Sequence, residues 1–365
     1  MVASGAGSEM SAAVWSEHAT NPDAIEAALR ELLHERHLAD RALAPARVLN
    51  LVVVVDRERK EDISKRLDRV GRYHASRTVL CSVEAGRRDL DAVAVIAYDG
   101  AGNGGIRPAR ERVEVDLGPE QLSRIDTIVD PILVSELPTM LWSPDGHDEA
   151  VDALLPLTDV ILVDSDEHPT QHGLARAAEL RESAYVVDLA WLRTTPWRER
   201  LASSFDLPER RNALAELTEL WIRHRRDSLA SATLLAGWMA ARLEWETLPF
   251  ELRSVDGYRG TVRAEPGERE VEIALVPVDQ EVPGLAGVTV GWHRESSLSL
   301  DRAPGGLVAR ERRAGAGTRS WQVLGASRGE GGILGEGVRQ ALLRDTTYGP
   351  ALDRSLVLRG RARPS

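Results

Sequence analysis

The residues of this chain best suited to chemistry gather after a short apolar run, Val160-Ile161-Leu162-Val163. Asp164, Asp166, Glu167, His168 and His172 follow it in close succession. Open α/β sheets bind ligands beyond the carboxyl ends of their strands, which is where this cluster falls. His168 and His172, four residues apart, could share a helix face and close on a metal. Yet Pro169 suits the start of a helix, and a polar residue ahead of it reads equally as ordinary capping. Neither H-E-x-x-H nor another complete ligand set accompanies the pair, so no metal is expected.

Other segments invite similar scrutiny. Gly100-Ala101-Gly102-Asn103-Gly104-Gly105 matches G-x-G-x-x-G, a loop that cradles a pyrophosphate when a strand precedes it and a helix follows. Pro108 and a charged strand follow instead, so the stretch reads as a turn and no cofactor is expected. Cys81 stands within a strand pattern beside Leu80 and Val83, the setting of an inert core thiol. No G-x-S-x-G elbow, phosphate-binding G-x-x-x-x-G-K-[ST] loop or kinase signature occurs. No complete catalytic constellation is present, and a protein that is not itself an enzyme is expected.

Three segments are richer than a core requires. Gly71-Arg72-Tyr73-His74-Ala75-Ser76-Arg77 carries two arginines and a histidine. With Asp164, Arg72, His74 and Arg77 form a candidate anion site, a solvated loop being the plainer alternative. Glu136 to Gly146 sets Trp142 at a strand end between two prolines, as core lid or as exposed anchor. The third segment, DLAWLRTTPWRERLASSFD at 188–206, lets Thr195 cap a helix with Pro196 at its first position. Trp197, Leu201 and Phe205 then share one face. Trp191, Arg193, Trp197, Arg198 and Arg200, with Trp142, are candidate partner contacts, because Trp and Arg are enriched at interface hot spots. The same aromatics equally suit a buried helix face.

The elements that must position these residues read as follows. Pro22 to Leu38 is a helix capped by Asn21. Val48 to Val55 is a continuous apolar run ending at Asp56, as in a strand buried on both faces. Strands at 78–83, 92–98, 113–117, 139–142, 160–163 and 185–187 alternate with helical stretches. The fold class is therefore α/β, a mixed, mostly parallel sheet with covering helices. Residues 189–246 read as a helical end to this domain, broken at Pro196 and Pro208. Short alternating runs from 249 onward, such as Val271, Ile273 and Leu275, predict a smaller antiparallel domain with a C-terminal helix. The expected organisation is a flexible 1–20, a domain at 21–248 and a second at 249–365.

Composition excludes further classes. The 365 residues carry a formal net charge of −11, unsuited to nonspecific nucleic-acid binding. The basic run Arg223 to Arg226 sits among acidic segments. One cysteine permits no intrachain disulfide. No apolar leader or membrane-length run is evident, so a soluble cytoplasmic protein without nucleic-acid or membrane partners is expected.

The sequence resembles the glucose-6-phosphate dehydrogenase assembly protein family, the OpcA proteins of cyanobacteria and actinobacteria. DLAWLRTTPWRERLASSFD carries the resemblance most strongly. GRYHASR at 71–77, ELPTMLWSPDG at 136–146, VILVDSDE at 160–167, LLAGWMAARLEW at 234–245 and RDTTYGPAL at 344–352 support it in order. The resemblance implies a noncatalytic partner of glucose-6-phosphate dehydrogenase in the oxidative pentose phosphate pathway, promoting its active oligomer or activating it allosterically. It also implies that the cysteine-based control linked to cyanobacterial relatives is not available through Cys81 alone. The alternative from residues alone is a phosphosugar- or nucleotide-binding enzyme or sensor at the sheet's carboxyl edge.

Overall fold

The computed structural model describes residues 12–39, 43–44, 47–71, 75–98, 107–167, 172–206, 208–252, 257–264, 269–293, 295–324, 329–341 and 343–360. Two compact units emerge, residues 1–163 with 183–186, and residues 164–182 with 187–365.

The first unit opens with β1 (Ala12–Glu17) and α1 (Pro22–Ala39). The Asn21 carboxamide oxygen caps α1 by accepting from the Ala24 amide at 3.0 Å. There follow β2 (Leu43–Ala44), β3 (Leu49–Asp56), α2 (Lys60–Gly71), β4 (Ser76–Val83), β5 (Asp91–Tyr98) and β6 (Arg107–Leu117). Next come α3 (Asp126–Val129), β7 (Thr139–Trp142), α4 (Asp148–Leu154) and β8 (Val160–Val163). The sheet runs β1-β5-β6-β4-β3-β7-β8, continued by β9 (Tyr185–Asp188), with β2 beside β6. Strands β6, β4, β3, β7 and β8 are parallel, while β5 and β1 add antiparallel to one edge. Leu49 to Val55 are all buried in β3, which is why that strand shows no polar alternation. From β3 the chain winds one way through β4 to β6, then returns to β3's other side for β7 and β8. The order therefore reverses between β3 and β7.

The start of the chain differs from the expectation of a flexible 1–20. β1 pairs with β5 along Ala12 to Glu17. As an edge strand it buries almost nothing, Val14 being 59% exposed, so it lacks the hydrophobic pattern that announces strands. Pro119–Arg124 is a 3-10 turn, followed by the single turn of α3.

The second unit contains α5 (Gly173–Leu180), α6 (Leu189–Ser204), α7 (Pro208–Leu214), β10 (Leu217–Arg225) and α8 (Leu229–Arg242). Strands β11 (Glu246–Thr247), β12 (Glu251–Leu252), β13 (Tyr258–Ala264), β14 (Arg269–Val278) and β15 (Leu285–Trp292) follow. β16 (Ser296–Ala303), β17 (Gly306–Arg313), β18 (Gly317–Leu324), α9 (Gly329–Gln340) and α10 (Tyr348–Leu358) complete it. The sheet order is β11-β13-β14-β10-β15-β16-β17-β18, with β12 beside β13. All pairs are antiparallel except β10 with β14.

Two expectations are corrected here. Residues 189–246 are not all helix, because Leu217 to Arg225 forms β10 in the middle of the second sheet. Leu220, Ile222 and His224 face inward there, and Glu219, Trp221 and Arg223 outward. The boundary expected at 248–249 also moves, since the elements from α6 to α8 belong with the second sheet. Helix α8 is apolar on nearly every side because it lies between that sheet and α10. Gly237 sets its approach: a Cβ there would stand 2.3 Å from the Ala351 carbonyl oxygen. Among the described residues no helix is long and apolar enough to cross a membrane.

Candidate functional site

Three of the segments singled out in the sequence meet in one buried polar network within the second unit. Asp188, at the end of β9, caps α6: Oδ1 accepts from the Ala190 amide at 2.9 Å and the Ser165 amide at 3.1 Å. Its Oδ2 accepts from Ser165 Oγ at 2.7 Å and from the Tyr348 hydroxyl at 3.0 Å. Burial pushes this carboxyl up to about 6, although the Ser165 bond opposes the shift. Arg193, one turn into α6, donates through Nη1 and Nη2 to the two oxygens of Asp164, each at 2.7 Å. Asp166 stands 3.9 Å from the same guanidinium and accepts from both the Ser231 amide and its hydroxyl at the start of α8. Burial, with Asp164 beside it, pushes Asp166 up to about 7.

A second layer extends from Trp191. Its Nε1 donates to Asp345 Oδ2 at 2.8 Å, while the Asp345 Oδ1 accepts from the Thr347 amide and hydroxyl. The Arg198 guanidinium lies 3.5 Å from the centre of the Trp191 ring and donates to Thr194 and Thr195. Burial lowers Arg198 to about 10. Trp191 also meets the Tyr348 ring at 5.7 Å. The residues of VILVDSDE, DLAWLRTTPWRER and RDTTYGPAL thus interlock, with the start of α8 beneath them.

This places the candidate partner contacts. Trp191, Arg193 and Trp197 are buried, and Arg198 is largely covered; Arg200 is half-buried. Trp142 is buried in β7 of the first unit, as a core lid. Helix α6 begins at Leu189 under the Asp188 cap, so the start expected at Thr195–Pro196 falls inside it. Asp188 escapes a reading of the sequence because Thr-Pro is the louder helix-start signal, although Asp ahead of Leu-Ala is a usable one.

Of the anion-site candidates, Arg77 and Asp164 are among the described residues, and each has an internal partner. Arg77 is buried at the amino end of β4, donating to Glu111 Oε2 at 2.8 Å and to the Ile132 carbonyl at 2.9 Å. Asp164 follows the carboxyl end of β8 and is taken by Arg193. Arg72, His74, His168 and the Gly100–Gly105 stretch lie outside the described residues. The glycine stretch joins β5 to β6, which are antiparallel neighbours. His172 is exposed. Cys81 is fully buried, and burial pushes its thiol up to about 12, leaving no thiolate near neutrality.

The turn after β3 in the first unit carries no motif that marks it in the sequence. Asp56, Asp145 and His147 bring one ligand atom each within 4.8 Å of one another at the carboxyl ends of β3 and β7. They are the described residues best placed to hold a metal. Asp145 is already engaged: the Asp56 amide donates to its Oδ2 at 2.8 Å, and Arg59 pairs with its Oδ1. His147 Nε2 lies 3.1 Å from Asp56 Oδ1.

The buried carboxyls yield a pH prediction. Both Asp166 and Asp188 take up protons more readily folded than unfolded. Stability of the second unit should therefore be fully present below about pH 4 for these two groups and be lost as pH rises through about 6 to 7. Asp166→Asn, which mimics the protonated acid, should flatten that loss by on the order of 2 kcal/mol between pH 5 and 8. Urea melts at the two pH values measure it. An unchanged slope in the variant would show that Asp166 is ionised throughout.

Comparison with known proteins bears on the same segments. A family model described as the glucose-6-phosphate dehydrogenase subunit N-terminal domain matches residues 67–180. Its C-terminal counterpart matches 184–352. The OxPP cycle protein OpcA of Synechocystis sp. is 26% identical over 216 residues, 56% of this chain and 46% of the relative. That of Nostoc punctiforme is 32% identical over 166 residues, 43% of this chain and 36% of the relative. The aligned stretches thus span less than half the length of either relative. Among solved structures, an NAD binding oxidoreductase from Klebsiella pneumoniae is similar at 10% identity and a TM-score of 0.48, covering 86% of this chain and 96% of that one.

Proposed function

Because the chain belongs to the OpcA family of glucose-6-phosphate dehydrogenase subunits, we propose that it is a noncatalytic assembly factor or allosteric activator of glucose-6-phosphate dehydrogenase. It acts in the oxidative pentose phosphate cycle by binding that enzyme. Family membership supports the partner; the turn after β3 supports the noncatalytic role.

A doubly wound sheet takes a dinucleotide where its strand order reverses, with the pyrophosphate on a glycine-rich turn after the first strand. In this chain the reversal lies between β3 and β7, and the turn reads Asp56-Arg57-Glu58-Arg59-Lys60, without glycine. The Asp145 carboxylate accepts from the first amide of that turn and pairs with Arg59. An internal anion thus stands where a phosphate would have to bind, and it would repel one. That single observation carries the noncatalytic reading.

The test mixes the purified chain with glucose-6-phosphate dehydrogenase from the same host. The chain alone should not reduce NADP, and the mixture should show co-elution with a higher rate or a larger oligomer of the enzyme. NADP reduction by the chain freed of contaminating enzyme would overturn the noncatalytic reading. Separate elution with an unchanged rate would overturn the partner.

A further inference from the structure

The second unit buries one face of its sheet and leaves the other without a covering helix among the described residues. Leu220, Ile222, Val288, Val290, Leu298 and Leu300 point into the core shared with α6 and α8. The alternate residues point the other way, and they make a flat surface. Gly287 and Gly291 on β15 let the Arg223 and Glu219 side chains lie across the strand; a Cβ at either would fall 2.3–2.5 Å from those side chains. Trp221 sits near the middle of this face, with Arg259 over its ring at 5.1 Å and its Nε1 buried without a hydrogen-bond partner.

Charge on this face is mixed in sign from strand to strand. Arg263 pairs with Glu246 at 3.7 Å and Arg259 with Glu272 at 3.5 Å; Asp301 joins Arg223 at 2.7 Å and Arg310 at 3.0 Å. These groups nearly cancel, although the chain as a whole carries −11. Two copies of so acidic a chain repel each other over most orientations, and least where both signs are interspersed. Size agrees as well. Seven strands about 4.8 Å apart and ~25 Å long present on the order of 800 Å², against roughly 800 Å² per partner in a standard interface.

We propose that this open sheet face is a self-association surface, on which a second copy of the chain packs face to face about a twofold axis. Balanced, striped charge is what an isologous contact requires, since each positive strip must meet its own negative counterpart. Trp221 is the aromatic anchor of that contact.

Sedimentation of the full chain across a hundredfold concentration range tests this. The wild type should reach twice the 40.0 kDa of one chain. Thr289→Arg and Trp221→Arg, each checked for an unchanged melting curve, should weaken the dimer about tenfold or more. Thr289→Arg keeps Trp221 in place, so it serves if the tryptophan variant fails to fold. A wild type that is monomeric throughout overturns the proposal. So does a folded Thr289→Arg variant that dimerises normally. A monomeric wild type whose association with the dehydrogenase is lost in the folded variants also overturns it, giving the face to a different occupant.

Discussion

Arg193→Ala is expected to cost the second unit about 3–5 kcal/mol, the loss that follows from stranding one half of a buried ion pair. The Arg193 and Asp164 side chains are 4% and 7% exposed, so water cannot replace the missing guanidinium. Asp164, Asp166 and Asp188 would then share one interior without their central cation. Protonation relieves part of that repulsion, so the loss should be larger at pH 8 than at pH 5. Arg193→Lys should recover little, because an ammonium cannot bond both Asp164 oxygens in the plane the guanidinium occupies. The double change Arg193→Met with Asp164→Leu should recover most of the stability, since it removes both charges together. Denaturant melts of the four proteins decide it. A loss under about 1 kcal/mol in Arg193→Ala would show that the ion pair does not hold α6 to the segment after β8.

How much of this was legible in the sequence depends on whether the signal was local. The parallel strands announced themselves because Leu51 to Val55 in β3 and the whole of β8 are unbroken apolar runs, the pattern of a strand covered on both faces. β10 did not. Its inward residues include His224, its outward ones Glu219 and Arg223, and the charges hid an alternation of period two. The polar network was half visible. Asp164 and Asp166 stood out as acidic residues after a strand, and Arg193 stood out beside tryptophans. Their pairing joins positions 29 apart, and no local pattern encodes such a contact. Exposure was the least legible quantity. An arginine next to a tryptophan suits an interface and an interior stack equally, and Arg198 on Trp191 is the latter. Asp145 gave no sign at all, because its role as an internal anion depends on β7 lying beside β3.

Trp197→Ala should likewise cost about 3–5 kcal/mol, as a fully buried large aromatic does when truncated. Trp197 is 1% exposed and packs in the second unit's core with Leu201, Phe205 and Trp292. Phe205 and Trp292 meet edge to face at 6.0 Å within the same core, a geometry that limits how far this core can collapse into a cavity. Trp197→Phe fills most of the space and should cost less than half as much. The variant also separates core from contact surface in the segment carrying the strongest family resemblance. If Trp197→Ala weakens association with the dehydrogenase, the loss should track the unfolded fraction and vanish under conditions where the variant is fully folded. Arg200 is the complementary probe, being half-buried on the same helix. Arg200→Ala should remain folded, with its own stability change read from the melt. If α6 meets the enzyme, it should weaken association by about 1 kcal/mol or more. Melts and affinities measured side by side separate the two roles: normal affinity in folded Arg200→Ala removes this residue from the contact and leaves α6 as internal scaffold.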